Sequence, residues 1–137
     1  MRLGRESEYA IEGLIALAAK PLGTVMLLRD IAKSRVVPVS FLAKIFQKLT
    51  RGGILISSRG AVRGYALARR PKDLKLKEIV LAVEGTDLLE RCIFWSGRCA
   101  DANPCALHFR WKKMRQRIIG EMMERTTLAD LMNHSNR

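Results

Sequence analysis

Three cysteines, Cys92, Cys99 and Cys105, fall within fourteen residues, and His108 follows the last of them by three positions. Thiolates and imidazole nitrogens are ligands for soft metal ions and for iron-sulfur clusters. Six and five residues separate the thiols, so the segment must loop around whatever it holds, and the Cys-x-x-Cys knuckle of a zinc finger is absent. Such spacing suits a cluster, which is wide enough for each thiolate to reach it separately. The neighbours Arg91, Ser96, Gly97, Arg98 and Pro104 are polar, glycine or proline, unlike the surroundings of a cysteine that fills a core. Nearby cations favour thiolate, the form that binds metal and reacts with oxidants. Metal or cluster binding is the first expectation, and redox sensing by bare thiols the second. His108 shares a helical face with Cys105 and either completes a four-ligand set or simply packs at a helix start. A thiol enzyme with Cys105 as nucleophile and His108 as base lacks an orienting third group, so no enzyme is expected.

The partner class follows from charge. Twenty-five Lys and Arg stand against thirteen Asp and Glu in 137 residues, a net charge of +12. From Arg29 to Lys77 there are thirteen basic residues and two acidic ones, Asp30 and Asp73. A concentrated cationic stretch calls for an acidic polymer, and double-stranded DNA is expected. No apolar run approaches the roughly 18 residues of a membrane span, and Met1-Arg2-Leu3-Gly4-Arg5-Glu6 has no signal-peptide core. A cytoplasmic protein without membrane contact is expected, and the odd cysteine count argues for reduced thiols.

The elements that position these residues are mainly helical. Ile11, Leu14, Ile15 and Ala18 repeat at the spacing of one helical face over Ser7 to Lys20, and Pro21 and Gly23 end that helix. A shorter helix covers Leu28 to Ser34. The next, Val39 to Arg51, turns Leu42, Ile45, Phe46 and Leu49 inward, and Gly52-Gly53 stops it. Its outer face holds Ser40, Ala43, Lys44, Gln47, Lys48 and Arg51, with no acid. Ile54 to Ser57 and Tyr65 to Ala68 read as strands joined by the basic loop Ser58 to Gly64.

Leu76, Ile79, Val80 and Val83 mark another helix, ended by Gly85, and residues 86–106 read as a loop. A long helix then carries Leu107, Trp111, Met114, Ile118 and Met122 along one stripe, suited to packing on a second subunit, and Leu128 to Met132 forms a short final helix. The order of helices and hairpin is that of a winged helix-turn-helix: mainly α, with a small β-hairpin wing and a long C-terminal dimerisation helix. Residues 1–85 are expected to form the DNA-binding domain, 86–106 the cysteine-rich loop, and 107–137 the dimerisation helix and tail. Ser40, Ala43, Lys44 and Gln47 would face the major groove. Lys48 and Arg51 would meet phosphate, and Arg59 and Arg63 the minor groove or its backbone.

Together these features resemble the Rrf2 family of bacterial winged-helix regulators, the group of IscR, NsrR and RirA. The resemblance rests on Met1-Arg2-Leu3 with Tyr9-Ala10, on Val39-Ser40-Phe41-Leu42 to Leu49, on Ser57-Ser58-Arg59-Gly60 to Gly64-Tyr65, and on the three cysteines. It implies a homodimer that reads an inverted-repeat operator and carries a cluster on Cys92, Cys99 and Cys105. His108 matches the fourth ligand of the IscR-like branch, which goes with a 2Fe-2S cluster. Glu8 stands where NsrR-like members supply a carboxylate from the partner subunit, which goes with a 4Fe-4S cluster. The expected function is a cluster-dependent regulator sensing cluster, iron, redox or nitric oxide status. The alternative is a cluster-free regulator of the same fold that senses through its thiols or docks a partner protein.

Overall fold

The computed structural model describes residues 4–92, 94, 101–102 and 104–133. Cys99 and the opening Met1-Arg2-Leu3 therefore lie outside the described residues. Helix α1 (Arg5–Ala18) buries Ala10, Leu14, Ile15 and Leu17. It begins and ends two residues earlier than its apolar spacing predicts. Helix α2 (Leu28–Arg35) closes on Val36, whose φ of 56° lets the Val37 N–H donate to the Ala32 carbonyl at 2.9 Å. Helix α3 (Val39–Arg51) follows Pro38 and ends at Gly52, with the predicted bounds.

The core forms where α3 meets α1 and α2. Leu42, Ile45, Phe46 and Leu49 are almost wholly buried, and each such side chain contributes about 1.5–3 kcal/mol of burial. Phe46 lies so close to α1 that a Cβ on Gly13 would sit 2.7 Å from its ring. Its other neighbour is Tyr65, edge-on at 5.1 Å. Helix α3 and the hairpin thus share one aromatic contact.

Strands β1 (Leu55–Arg59) and β2 (Arg63–Leu67) pair antiparallel, from Leu55 opposite Leu67 to Arg59 opposite Arg63. The ladder runs past the predicted strand end at Ser57, because an exposed edge pairs through its backbone whatever its side chains. Only Gly60, Ala61 and Val62 remain at the tip. Met26 bridges to Tyr65 on the far side of β2, by bonds of 3.0 and 2.9 Å. That contact explains Gly64: its φ is 138°, and a Cβ there would lie 2.1 Å from the Met26 carbonyl oxygen.

Helix α4 (Leu76–Glu84) starts where the Glu78 carboxylate accepts the Lys75 N–H at 3.0 Å. Segment 86–106, expected to be loop throughout, is not: α5 (Asp87–Glu90) forms one turn within it. Four residues are too few for a periodic signal, but Leu88 is buried with Leu76, Val80 and Met123. Helix α6 (His108–Arg117) passes into a π-helical stretch, Ile118–Met123, instead of continuing as one regular helix. The wider turn brings Met123 to the core and leaves Met122 about half exposed. Helix α7 (Leu128–Asn133) then returns to α1, with Leu128 fully buried. No helix among the described residues is long and apolar enough to cross a membrane.

Candidate functional site

The outer face of α3 and the wing enclose one groove. Gln47, Thr50 and Arg51 line it from the helix, and Ser57, Arg59 and Arg63 from the two strands. Ser40, Lys44, Gln47 and Arg51 recur at helical spacing and are all exposed, so they form a stripe leading into the groove. Ala43 is half-buried at its edge. Arg59 and Arg63 face each other across the ladder. Like charges set opposite in a sheet repel, and an anionic ligand between them would relieve the repulsion.

Lys48 stands apart from that group. Its Nζ lies 2.9 Å from Glu6 Oε2 and 3.2 Å from the Val83 carbonyl oxygen, so it ties α3 to α1 and α4. A single helix pattern puts Lys48 on the polar side but cannot reveal an acid forty-two residues away. Conversely, Thr50, Ser57 and Ser58 escaped the sequence reading. Ser57 was detectable, since it precedes Arg59 by two on a strand and so shares its face.

The second set of residues lies along the cysteine segment and at the start of α6. Cys92 is half-buried and Cys105 exposed. The Phe94 N–H donates to Cys92 Sγ at 3.4 Å, and the His108 N–H donates to the Cys105 carbonyl at 3.1 Å. His108 is 3% exposed. Its Nε2 lies 2.6 Å from Asp101 Oδ1, while Lys112 donates to Asp101 Oδ2 at 2.7 Å. The Lys112 ammonium foremost, and then the His108 ring, hold the Asp101 carboxyl below the usual carboxylate range. Asp101 was not among the expected site residues, because a lone acid in a loop has no spacing to mark it. Glu8 is exposed on α1.

Among the described residues, no group of three His, Cys, Asp or Glu side chains gathers closely enough to hold a metal ion. Cys99, the middle thiol, falls outside them. The donors that are described suit a cluster in kind: two thiols, and a buried imidazole with one nitrogen on a carboxylate, the usual outer-shell support of a metal-bound histidine.

A family model described as "Rrf2: Iron-dependent Transcriptional regulator" matches residues 3–134. A relative from Aquifex aeolicus, named as an HTH-type transcriptional regulator, is 31% identical over 124 residues, covering 88% of this chain and 85% of its own. The HTH-type transcriptional regulator IscR of Serratia proteamaculans is 27% identical over 136 residues, 99% of this chain and 82% of its own. Among solved structures, CymR, the global cysteine regulator of B. subtilis, superposes with a TM-score of 0.79 at 23% identity, over 98% of each chain. T. potens IscR does so with 0.72 at 24% identity, over 99% of this chain and 89% of that one. The mainly helical fold with its two-stranded wing is that of these regulators. The chain belongs to the Rrf2 family, and it is a DNA-binding transcriptional regulator of the winged-helix type and not an enzyme.

Proposed function

We propose that this regulator changes its grip on an inverted-repeat operator according to the state of an iron-sulfur cluster held by Cys92, Cys99, Cys105 and His108. The observation that carries the reading is the buried, carboxylate-backed imidazole of His108 at the start of α6, three residues after the exposed Cys105. A 2Fe-2S cluster is favoured, since histidine nitrogen serves as its ligand in known centres. Bound there, it supplies reversible one-electron redox chemistry and cross-links the segment to the helix. Glu8 from a partner subunit, with a 4Fe-4S cluster, is the alternative ligand set.

DNA recognition is the work of α3 and the wing. Ser40, Lys44 and Gln47 meet base edges in the major groove, with the small Ala43 beside them, and Arg51 meets phosphate. Arg59 and Arg63 reach the minor groove or its backbone. Lys48 is left out of this set, since Glu6 and Val83 engage its ammonium.

Coupling between the two sites needs two arrangements of a dimer that the cluster favours unequally. Residues 107–137 are suited to pair the subunits: Phe109, Met114 and Met122 are each half or more exposed on the α6 side. Trp111 Nε1 and Arg115 Nη1 of the same helix are buried and have no hydrogen-bond partner among the described residues. Residues 1–85 and 86–106 are then the DNA-binding and ligand-holding parts.

Anaerobic reconstitution with iron and sulfide tests the cluster. The protein should become coloured and bind both elements, and replacing Cys92 or Cys105 with Ala should abolish this without unfolding it. His108→Ala should labilise the cluster and Glu8→Ala should not; the reverse would move the fourth ligand to Glu8. Protein that stays colourless would favour the second reading, a thiol sensor without a cluster. The free, exposed Cys105 thiol supports that reading, and it predicts DNA affinity that responds to peroxide in iron-free protein.

A further inference from the structure

The first turn of α3 exposes apolar side chains where the helix's outer stripe begins. Phe41 is 56% exposed and Val39 46%, and they stand on either side of Ser40 in a helix whose outer face is otherwise small, polar or cationic. Contacts fix which flank Phe41 occupies. Its ring centroid lies 6.3 Å from that of Tyr9 on α1, with the planes tilted by 43°. Lys48, about two turns further along the same flank, meets Glu6 of α1. Gln47 and Thr50, by contrast, line the groove shared with the wing. Phe41 therefore borders the stripe of Ser40, Lys44, Gln47 and Arg51 on the side away from the wing. Tyr9 is half-buried and packs on the core, and ring pairs at this separation attract. One edge of the Phe41 ring thus rests on a fixed neighbour, while more than half of its surface meets solvent.

A phenyl ring neither donates nor accepts ordinary hydrogen bonds, so it distinguishes bases only by apolar contact. Among the four bases the major groove offers one apolar group, the C5-methyl of thymine. A ring left in water forgoes the gain of burial, and a methyl group in the groove would supply it. We propose that Phe41 is a specificity-determining residue that packs on a thymine C5-methyl in each half-site of the operator. The inference rests on the reading of α3 as the helix in the major groove, is independent of the cluster, and adds a base preference that the polar stripe does not supply. Ser40, Lys44 and Gln47 meet polar base edges through hydrogen bonds, whereas Phe41 selects thymine over the three bases without that methyl. Because the ring lies on the flank opposite the wing, the thymine it selects stands away from the base pairs nearest the wing.

Base analogues isolate the methyl group. Operators are first selected from random duplex DNA with the parent protein, and each thymine of the selected site is then replaced in turn by deoxyuridine, which lacks only the C5-methyl. The parent should lose affinity about three- to tenfold at one thymine per half-site. Phe41→Ala should bind the thymine and uracil forms of that site alike, and Phe41→Leu, which keeps an apolar contact, should retain part of the discrimination. The readout is a ratio between two DNAs measured with one protein, so a fraction of unfolded variant does not alter it, and melting curves check folding. Selection with Phe41→Ala should relax the base preference at that position and leave unchanged the positions that respond to Gln47→Ala. Equal affinity of the parent for every uracil-substituted operator, or a methyl dependence that survives in Phe41→Ala, would overturn the assignment. In that event a sequence preference altered by Gln47→Ala would still keep α3 in the groove. If neither substitution changes the selected sequence, the reading of α3 falls and the Phe41 assignment with it. A Phe41→Ala variant of altered mass in light scattering, with its methyl dependence intact, would give the ring to a contact between copies of the chain and overturn the proposal.

Discussion

Gly64 shows what a single position can demand. Backbone of Met26 lies against it, and the 138° φ is open to glycine but strained for other residues. Gly64→Ala should cost roughly 2–3 kcal/mol, read as a lowered midpoint in chemical denaturation, because the new methyl group must push Met26 away from β2. Gly60 has open space at the same distance from its backbone, so Gly60→Ala should change stability little and serves as the control. Glycine in a wing reads from sequence as freedom for the backbone to approach DNA; at Gly64 the approach is internal. Arg59 carries the opposite expectation. Arg59→Ala should leave stability nearly unchanged, weaken binding to all DNA sequences, and flatten the slope of log affinity against log salt by about one. Gln47→Ala, by contrast, should act mainly on discrimination among sequences. Filter-binding titrations from low to moderate salt distinguish the two.

At the scale of elements, α4 and its cap make a pH-dependent contribution. Burial pushes the Glu78 carboxyl up, but the Lys75 N–H and the Arg69 guanidinium at 3.0 Å outweigh it and hold it below the ordinary value of 4.5. A carboxyl lowered in the folded state stabilises the fold above its unfolded pKa and loses that contribution as pH falls through the folded one. Glu78→Gln should therefore lower stability at neutral pH and flatten the decline in melting temperature below about pH 4.5. The side chain is 38% exposed, so solvent screening keeps the effect under about 1 kcal/mol. How legible each element was depended on its length and its burial. Helix α3 has one strongly apolar face and a proline and glycine at its ends, so both its bounds could be read. The wing strands were placed short, because pattern reading follows side chains and the ladder at Ser58 and Arg59 depends on backbone. Helix α5 was invisible at four residues, and the π turn after Arg117 leaves no mark in spacing. Of the candidate site, Gln47 and Arg51 line one groove with the wing arginines, while the Lys48 contacts and the Asp101 contacts depend on residues far away in sequence or without pattern.

For the whole molecule, the central issue is how a change at the cysteine segment reaches the DNA-binding face. The segment opens directly into α6 through the His108 N–H bond to Cys105. The π turn after α6 sets Met123 against Leu76, Val80 and Leu88, and α4 in turn packs against α3. Packed elements thus join the start of α6 to α3, and under the proposed function ligation in a dimer would shift the spacing of two such helices. Half-sites about one turn of DNA apart would register a small shift as a change in affinity. The most direct measurement compares cluster-loaded and cluster-free protein, both prepared anaerobically, in titrations against operator DNA selected from a random library with each form. The account predicts that the two forms differ at least tenfold in affinity for one operator or select different operators, and that Cys105→Ala behaves like the cluster-free form under both treatments. Identical selected sequences bound with equal affinity by the loaded and unloaded proteins would contradict it.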